Sequence, residues 1–151
     1  ATGDASGLHV FQRVATGSDP ASNTWTLLGC PGSAGGIVAL AHLDTGTPID
    51  AETAQTTASS VVHTAPNVTT TVADTMLITV HAFASSATWT EPASMTEAFD
   101  VASEAIGATG ISLSMHYVLR PAAGATGTRA ATASNDADTG NAAAVALRRI
   151  P

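Results

Sequence analysis

The chain has 151 residues, with 12 acidic residues against five arginines, no lysine and a formal net charge of −7. This length suits one domain over residues 1–151, and the acidic balance argues against nucleic-acid binding, which requires clustered Arg and Lys. No apolar run is long enough to span a bilayer, so we expect no membrane partner either.

Strand patterns dominate the first third of the chain. Residues 8–15 (LHVFQRVA) and 23–28 (NTWTLL) alternate, and 37–43 (IVALAHL) are nearly all apolar, while Gly, Pro and Asp clusters separate them. Trp25 alternates with Thr residues, which predicts that it packs inside a sandwich. Residues 51–66 are rich in Thr, Ser and Ala, and they predict either a long exposed connection or an edge strand.

Strand patterns continue through the rest of the chain. Residues 76–84 (MLITVHAFA) are apolar on both faces, which predicts a strand near the centre of a sheet. Residues 94–107 fit a helix, with Ser94 and Glu97 as a capping box, but they also fit a strand, which we favour because the neighbouring segments are all strands. Further strands are predicted at 67–72, 111–119 and 142–150, and 120–134 is predicted to be a turn followed by a strand. Short strands separated by turns predict an all-β, antiparallel sandwich.

The chain also contains an internal duplication. Residues 11–26 match 117–132, and 37–43 (IVALAHL) match 144–150 (AVALRRI), at offsets of 106 and 107 residues. The element order and the spacing agree together, so we interpret the match as a diverged repeat. The half repeat covers 8–50 and the full repeat covers 67–151, which makes about one and a half units.

These residues resemble a known family. The runs VATGSDPASNTWT, GGIVALAHLDTGTPID, TAPNVTTTVADTMLITVHAF, EPASMTEAFDVAS, AAGATGTRAATAS and the final VALRR are similar to a β-sandwich module of bacteriophage structural proteins and bacterial exported surface proteins. The resemblance covers nearly the whole chain. It implies a jelly-roll-like sandwich and a virion or extracellular surface location, and it implies no catalytic residues.

The chain departs from that family pattern at three places. Ala73 and Ser94 stand where the family has Gly, and the family's usual N-terminal half-unit is absent. A sandwich without its first strands exposes sheet edges, which recruit strands from other chains. We therefore expect an assembly edge at residues 8–15, with 37–43 as a second candidate, that contacts identical subunits or other virion or surface proteins. The assembly-edge residues are Leu8, Val10, Phe11 and Arg13.

Candidate chemical groups are few. The histidines have no close metal-binding spacing, so they either lie scattered in the sheets or meet across one to form a site; they are His9, His42, His63, His81 and His116. Asp136 and Asp138 indicate a solvated turn more than a Ca²⁺ loop, since no bidentate Glu follows. Cys30 has no neighbour that would lower its pKa and is expected to be an inert thiol.

We expect no catalytic residue, no metal and no cofactor. Trp89, in SSATWTEP, is predicted to lie in a loop and is the better exposed candidate for contacting a ligand or partner. The leading hypothesis is a non-enzymatic structural subunit of a phage tail, fibre or capsid surface, working as a homo-oligomer. The alternatives are a subunit of an extracellular surface filament and a carbohydrate-binding attachment module, the latter by fold-level analogy.

Overall fold

Antiparallel β-structure makes up the regular secondary structure of this chain. A computed structural model describes residues 7–27 and 32–150, and no helix occurs in those ranges. The strands are β1 (Ile49–Ser60), β2 (Val62–Ala65), β3 (Thr69–Thr70), β4 (Thr75–Phe83), β5 (Trp89–Thr90), β6 (Thr96–Ala102), β7 (Ser112–Arg120), β8 (Gly124–Ala125), β9 (Arg129–Ala133) and β10 (Asp138–Arg148).

The strands form one large sheet and two small ones. The large sheet has five strands in the order β1-β10-β4-β7-β6, the second has the order β2-β9-β5, and β3 pairs with β8. Every pairing between these strands is antiparallel. The predicted all-β, antiparallel class is confirmed, and β4 lies at the centre of its sheet as its two apolar faces indicated.

One face of the large sheet packs against the β2-β9-β5 sheet. Leu77 and Phe83 of β4 are fully buried there. Alanines fill much of the remaining space, including Ala65 and Ala131 of the small sheet and Ala142, Ala144 and Ala146 of β10. Small side chains allow the two sheets to approach closely, and they explain how a chain with only 4% aromatic residues closes a core.

The opposite, outer face of the large sheet is covered by chain without regular structure. Ile78, Val80 and Leu147 are buried on this face. Leu8, Leu40 and Leu43 pack against the same cluster. Residues 32–48 thus form a cover segment over the sheet, and this cover explains why β4 needs apolar residues on both of its faces.

The structure corrects the predicted strands of the first third. No strand occurs at 8–15, at 23–27 or at 37–43, apart from an isolated bridge between Leu43 and Arg149. β10 and β7 already pair with β4 on both sides. Leu8, Leu40 and Leu43 pack across the outer face of the sheet instead of joining it, whereas residues 9–27 are exposed. Trp25 is 58% exposed and is not a core residue. Leu28 and Cys30 lie outside the described residues.

The later predictions are closer to the observed strands. For 51–66 the edge-strand alternative is confirmed, since β1 is the outermost strand of its sheet and β2 follows it. For 94–107 the strand is confirmed as β6, and no helix forms there. The predicted strand at 67–72 is reduced to the two residues of β3.

Candidate functional site

The outer edge of β1 is the longest open strand edge of the large sheet. β1 has 12 residues and pairs with β10 on one side, whereas no residue in the described ranges pairs with its other side. Its register with β10 is regular from Ala51 to Thr57 and shifts at both ends of that run. An unpaired strand presents a row of free N–H and C=O groups, which is a template for another strand.

The two faces of β1 have different surroundings. Ala51 packs against the inner core, and the Gln55 amide donates to the Thr64 carbonyl of the facing sheet over 2.7 Å. The side chains of Glu52, Ala54 and Thr56 therefore lie on the outer face, because strand residues alternate. All five residues from 52 to 56 are exposed.

A groove of about 550 Å³ runs beside this edge. Leu8 and Val10 form one wall, Glu52–Thr56 form another, and Asn141, Ala143 and Val145 of β10 complete the lining. The groove combines apolar walls with the polar edge strand, so it offers side-chain contacts next to the unpaired backbone.

The structure divides the four predicted assembly-edge residues into two pairs. Leu8 and Val10 lie in the groove beside β1. Phe11 is 77% exposed and stacks on His9, and Arg13 forms an ion pair with Asp19. The open edge itself belongs to β1, which the sequence offered only as one of two alternatives for residues 51–66. The sequence feature that could have indicated this edge is the run of Thr and Ala in β1, which contains no Lys or Pro.

Trp89 is buried, which corrects its predicted exposure. It lies in β5 with 5% of its surface exposed, and its indole Nε1–H donates to the Ser112 hydroxyl over 3.1 Å. Its ring packs edge-on against Phe83 at a centroid distance of 5.2 Å. Trp89 is therefore not accessible to a ligand in this chain.

Three of the five histidines meet beside Trp89. His63 of β2, His81 of β4 and His116 of β7 are all fully buried. The rings of His81 and His116 have centroids 5.4 Å apart, and the His63 ring lies 5.5 Å from that of Trp89. The sequence left open whether the histidines are scattered or meet across a sheet. These three meet, whereas His9 and His42 are exposed and lie outside the strands.

Hydrogen bonding in this histidine cluster is incomplete. The Thr57 hydroxyl lies 2.5 Å from His63 Nδ1, and His81 Nε2 lies 3.2 Å from the Arg129 carbonyl. His63 Nε2, His81 Nδ1 and both ring nitrogens of His116 have no hydrogen-bond partner among the described residues.

Burial keeps the three imidazoles neutral. It lowers the pKa of His81 from 6.5 to about 4, and the neighbouring His116 and His63 act in the same direction. Burial also lowers the pKa of His63 and that of His116, although Asp138 opposes the shift at the former and Glu91 at the latter. Within 7–27 and 32–150, no three His, Cys, Asp or Glu residues are placed to hold a metal ion.

A charged network fixes the start of β1. The Asp50 carboxylate accepts hydrogen bonds from the Thr71 backbone and hydroxyl, and Arg148 lies 3.0 Å from it. Burial would raise the pKa of Asp50, but the Thr71 hydrogen bonds and the Arg148 charge outweigh it and leave that pKa below its usual value. Asp138, at the end of β10, accepts from the Ser85 hydroxyl over 3.1 Å.

Comparison with known proteins gives no relative. No protein-family description, no curated protein and no solved structure matches this chain. Across the described ranges, no helix is long and apolar enough to cross a membrane.

Proposed function

We propose that this chain is a non-enzymatic structural subunit of a phage particle, as a tail, fibre or capsid-surface component, and that it assembles through strand-edge contacts. The observation that carries the proposal is the open edge of β1. This edge is long, largely exposed and free of Lys and Pro, the residues that commonly protect sheet edges from pairing. The virion or extracellular location rests on the motif resemblance described above.

The proposal includes a jelly-roll-like topology with an internal duplication. The strand order supports the topology, because β1, β10, β4 and β7 are neighbours in one sheet while β2, β9 and β5 are neighbours in the other. The repeated IVALAHL and AVALRRI runs support the duplication. The later run contributes to β10, whereas the earlier one lies in the cover segment.

The test is the assembly state of the purified chain. Size-exclusion chromatography with light scattering, followed by negative-stain electron microscopy, is expected to show discrete oligomers or larger ordered particles. A dispersed monomer at all accessible concentrations contradicts the proposal. Reproducible turnover of any substrate by such a monomer would replace it with an enzymatic function.

An extracellular surface filament is the alternative product of the same contacts, because a subunit with open edges on both β1 and β6 can be joined at each. Electron microscopy distinguishes the two assemblies, since a surface filament grows to variable length, whereas a phage-particle component forms an oligomer of fixed size.

A carbohydrate-binding module is the second candidate, and the exposure of Trp25 favours it. Exposed tryptophan rings offer an apolar face with a polar edge, which suits sugar stacking. Glycan-array screening of the wild type beside Trp25→Ala tests this candidate, with Phe11→Ala as a matched exposed aromatic control. Glycan binding that survives Trp25→Ala would show that Trp25 is not the binding residue. Absence of glycan binding by the wild type would rule out the carbohydrate-binding function.

A further inference from the structure

The regular part of β1 is symmetric about one residue. Its uninterrupted register with β10 runs from Ala51 to Thr57, and the midpoint of that run is Ala54. When two copies of a strand pair antiparallel about a two-fold axis perpendicular to the sheet, residues at equal distances from the axis stand opposite each other. An axis at Ala54 therefore pairs every residue from Ala51 to Thr57 of one copy with a residue of the same run in the other copy.

The charges of β1 are compatible with this register. Its ionisable residues are Asp50 and Glu52, both at its start. An axis at Asp50, Ala51 or Glu52 places carboxylates opposite one another, which is unfavourable. An axis at Ala54 places Glu52 opposite the neutral Thr56 of the other copy, and this hydroxyl is able to donate to the carboxylate.

The side-chain faces are compatible with that pairing. Across an axis at Ala54, outer-face residues meet outer-face residues, because paired positions differ by an even number. The smallest outer side chain, Ala54, stands on the axis. Leu8 and Val10 line the groove over Ala54 in each copy.

We propose that the occupant of the β1 edge is a second copy of this chain, paired antiparallel through β1 about Ala54 to make a continuous ten-stranded sheet. This inference rests on the proposed function, and it adds the partner, the strand and the register. The number ten follows from two copies of the five-stranded sheet.

The test introduces charges at Ala54, on the proposed two-fold axis, in the full chain. Ala54→Lys and Ala54→Glu each place like charges opposite one another, which is expected to raise the dissociation constant of the dimer about tenfold. Mixing the two variants places opposite charges together and is expected to restore dimerisation. Ala98→Lys, an exposed alanine on the other edge strand β6, is the matched control and is expected to leave the dimer unchanged. Sedimentation velocity gives the constants, and circular dichroism checks folding.

Disulfide cross-linking at position 54 is a second experiment that tests the pairing even if a charged variant fails to fold. Opposed residues of antiparallel strands have Cα atoms about 4.5–5.5 Å apart, within the range of a disulfide. In a Cys30→Ser background, Ala54→Cys is expected to form a covalent dimer on mild oxidation, whereas Ala98→Cys is not.

The outcomes separate this inference from the proposed function. Loss of assembly in each charged variant, recovery on mixing and cross-linking at position 54 support β1 pairing. Wild-type assembly that neither charge disturbs, together with no cross-link at position 54, overturns β1 pairing and leaves a structural subunit that assembles by another surface. A wild type that stays monomeric overturns both.

Discussion

Ser94 holds its backbone at a φ of 64°, in the left-handed region that glycine occupies most easily. It lies in the turn between β5 and β6, where the Met95 amide donates to the Pro92 carbonyl over 3.0 Å. Ser94 is therefore an unfavourable residue in a conformation that the turn requires.

We expect Ser94→Gly to raise the free energy of unfolding by about 0.5–1 kcal/mol, because the relief of left-handed strain exceeds the added freedom of the unfolded chain. Urea denaturation measures the change. Ala93→Gly is the matched control in the same turn, and it is expected to destabilise the protein, since Ala93 has no positive φ. A loss of stability in Ser94→Gly would show that its side chain contributes more than the strain costs.

His81 makes the stability of the sandwich dependent on pH. Its pKa is about 4 in the folded chain against 6.5 in the unfolded chain, so the unfolded chain binds the proton more readily. The stability contributed by neutral His81 is therefore complete above pH 6.5 and is lost as the pH falls from 6.5 towards 4. From this residue alone we expect a loss of about 2 kcal/mol between pH 7 and pH 5.

Urea denaturation at pH 7 and pH 5 checks this expectation. His81→Gln is expected to flatten the dependence, because a glutamine amide is able to donate to the Arg129 carbonyl and does not titrate. Buried His63 and His116 keep part of the dependence in that variant. His9→Gln, at an exposed histidine, is the control. An equal slope in wild type and His81→Gln would rule out His81 as a source of acid sensitivity.

Gly140 marks where strand β10 passes closest to its neighbours. A Cβ there would lie 2.5 Å from the Ala82 carbonyl oxygen and 2.7 Å from the His63 ring. Backbone cannot move away cheaply, so we expect Gly140→Ala to destabilise the protein by about 1–3 kcal/mol. Thermal denaturation measures it, with Gly35→Ala as the control because a Cβ at Gly35 meets nothing within 4 Å. Similar melting temperatures for the two variants would contradict this close approach.

Elements differ in how far the sequence determines them. β4 was predictable because a strand paired on both sides and covered on both faces needs a continuous apolar run. β6 was ambiguous because Met95 and Phe99 fit both the helical and the strand period, and only its pairing with β7 decides between them. Residues 8–15 and 37–43 were predicted wrongly as strands. An apolar or alternating pattern does not say whether a segment joins a sheet, lies across it as Leu40 and Leu43 do, or stays exposed as residues 9–15 do.

The candidate site was predictable only in part for the same reason. Alternation along β4 correctly placed His81 and Phe83 on one face. The meeting of His81 with His63 depends on how two sheets stack, and residues 18 positions apart carry no local signal of that contact. Trp89 was misjudged because its neighbours in sequence suit a loop, whereas its burial comes from Phe83 and from Ala133 of β9.

At the scale of the whole molecule, the cover segment is expected to stabilise the protein by burying the outer face of the large sheet. Leu40 is half-buried against that face, whereas nearby Ile37 is 72% exposed. We expect Leu40→Ala to cost about 1–2 kcal/mol of unfolding free energy and Ile37→Ala to cost less than about 0.5 kcal/mol. Urea denaturation compares the two, and equal costs would show that the segment does not protect the sheet.

The position of β10 between β1 and β4 sets the order in which the chain is able to fold. Both neighbours leave the ribosome well before β10, and until it arrives β1 has no partner strand in the sheet and β4 has only β7. The large sheet therefore closes only once β10 has been synthesised, and folding through such distant pairings is slow, on the order of milliseconds to seconds. During that interval the apolar β4 is exposed to other nascent chains, so the yield of soluble protein depends on how quickly β10 is inserted.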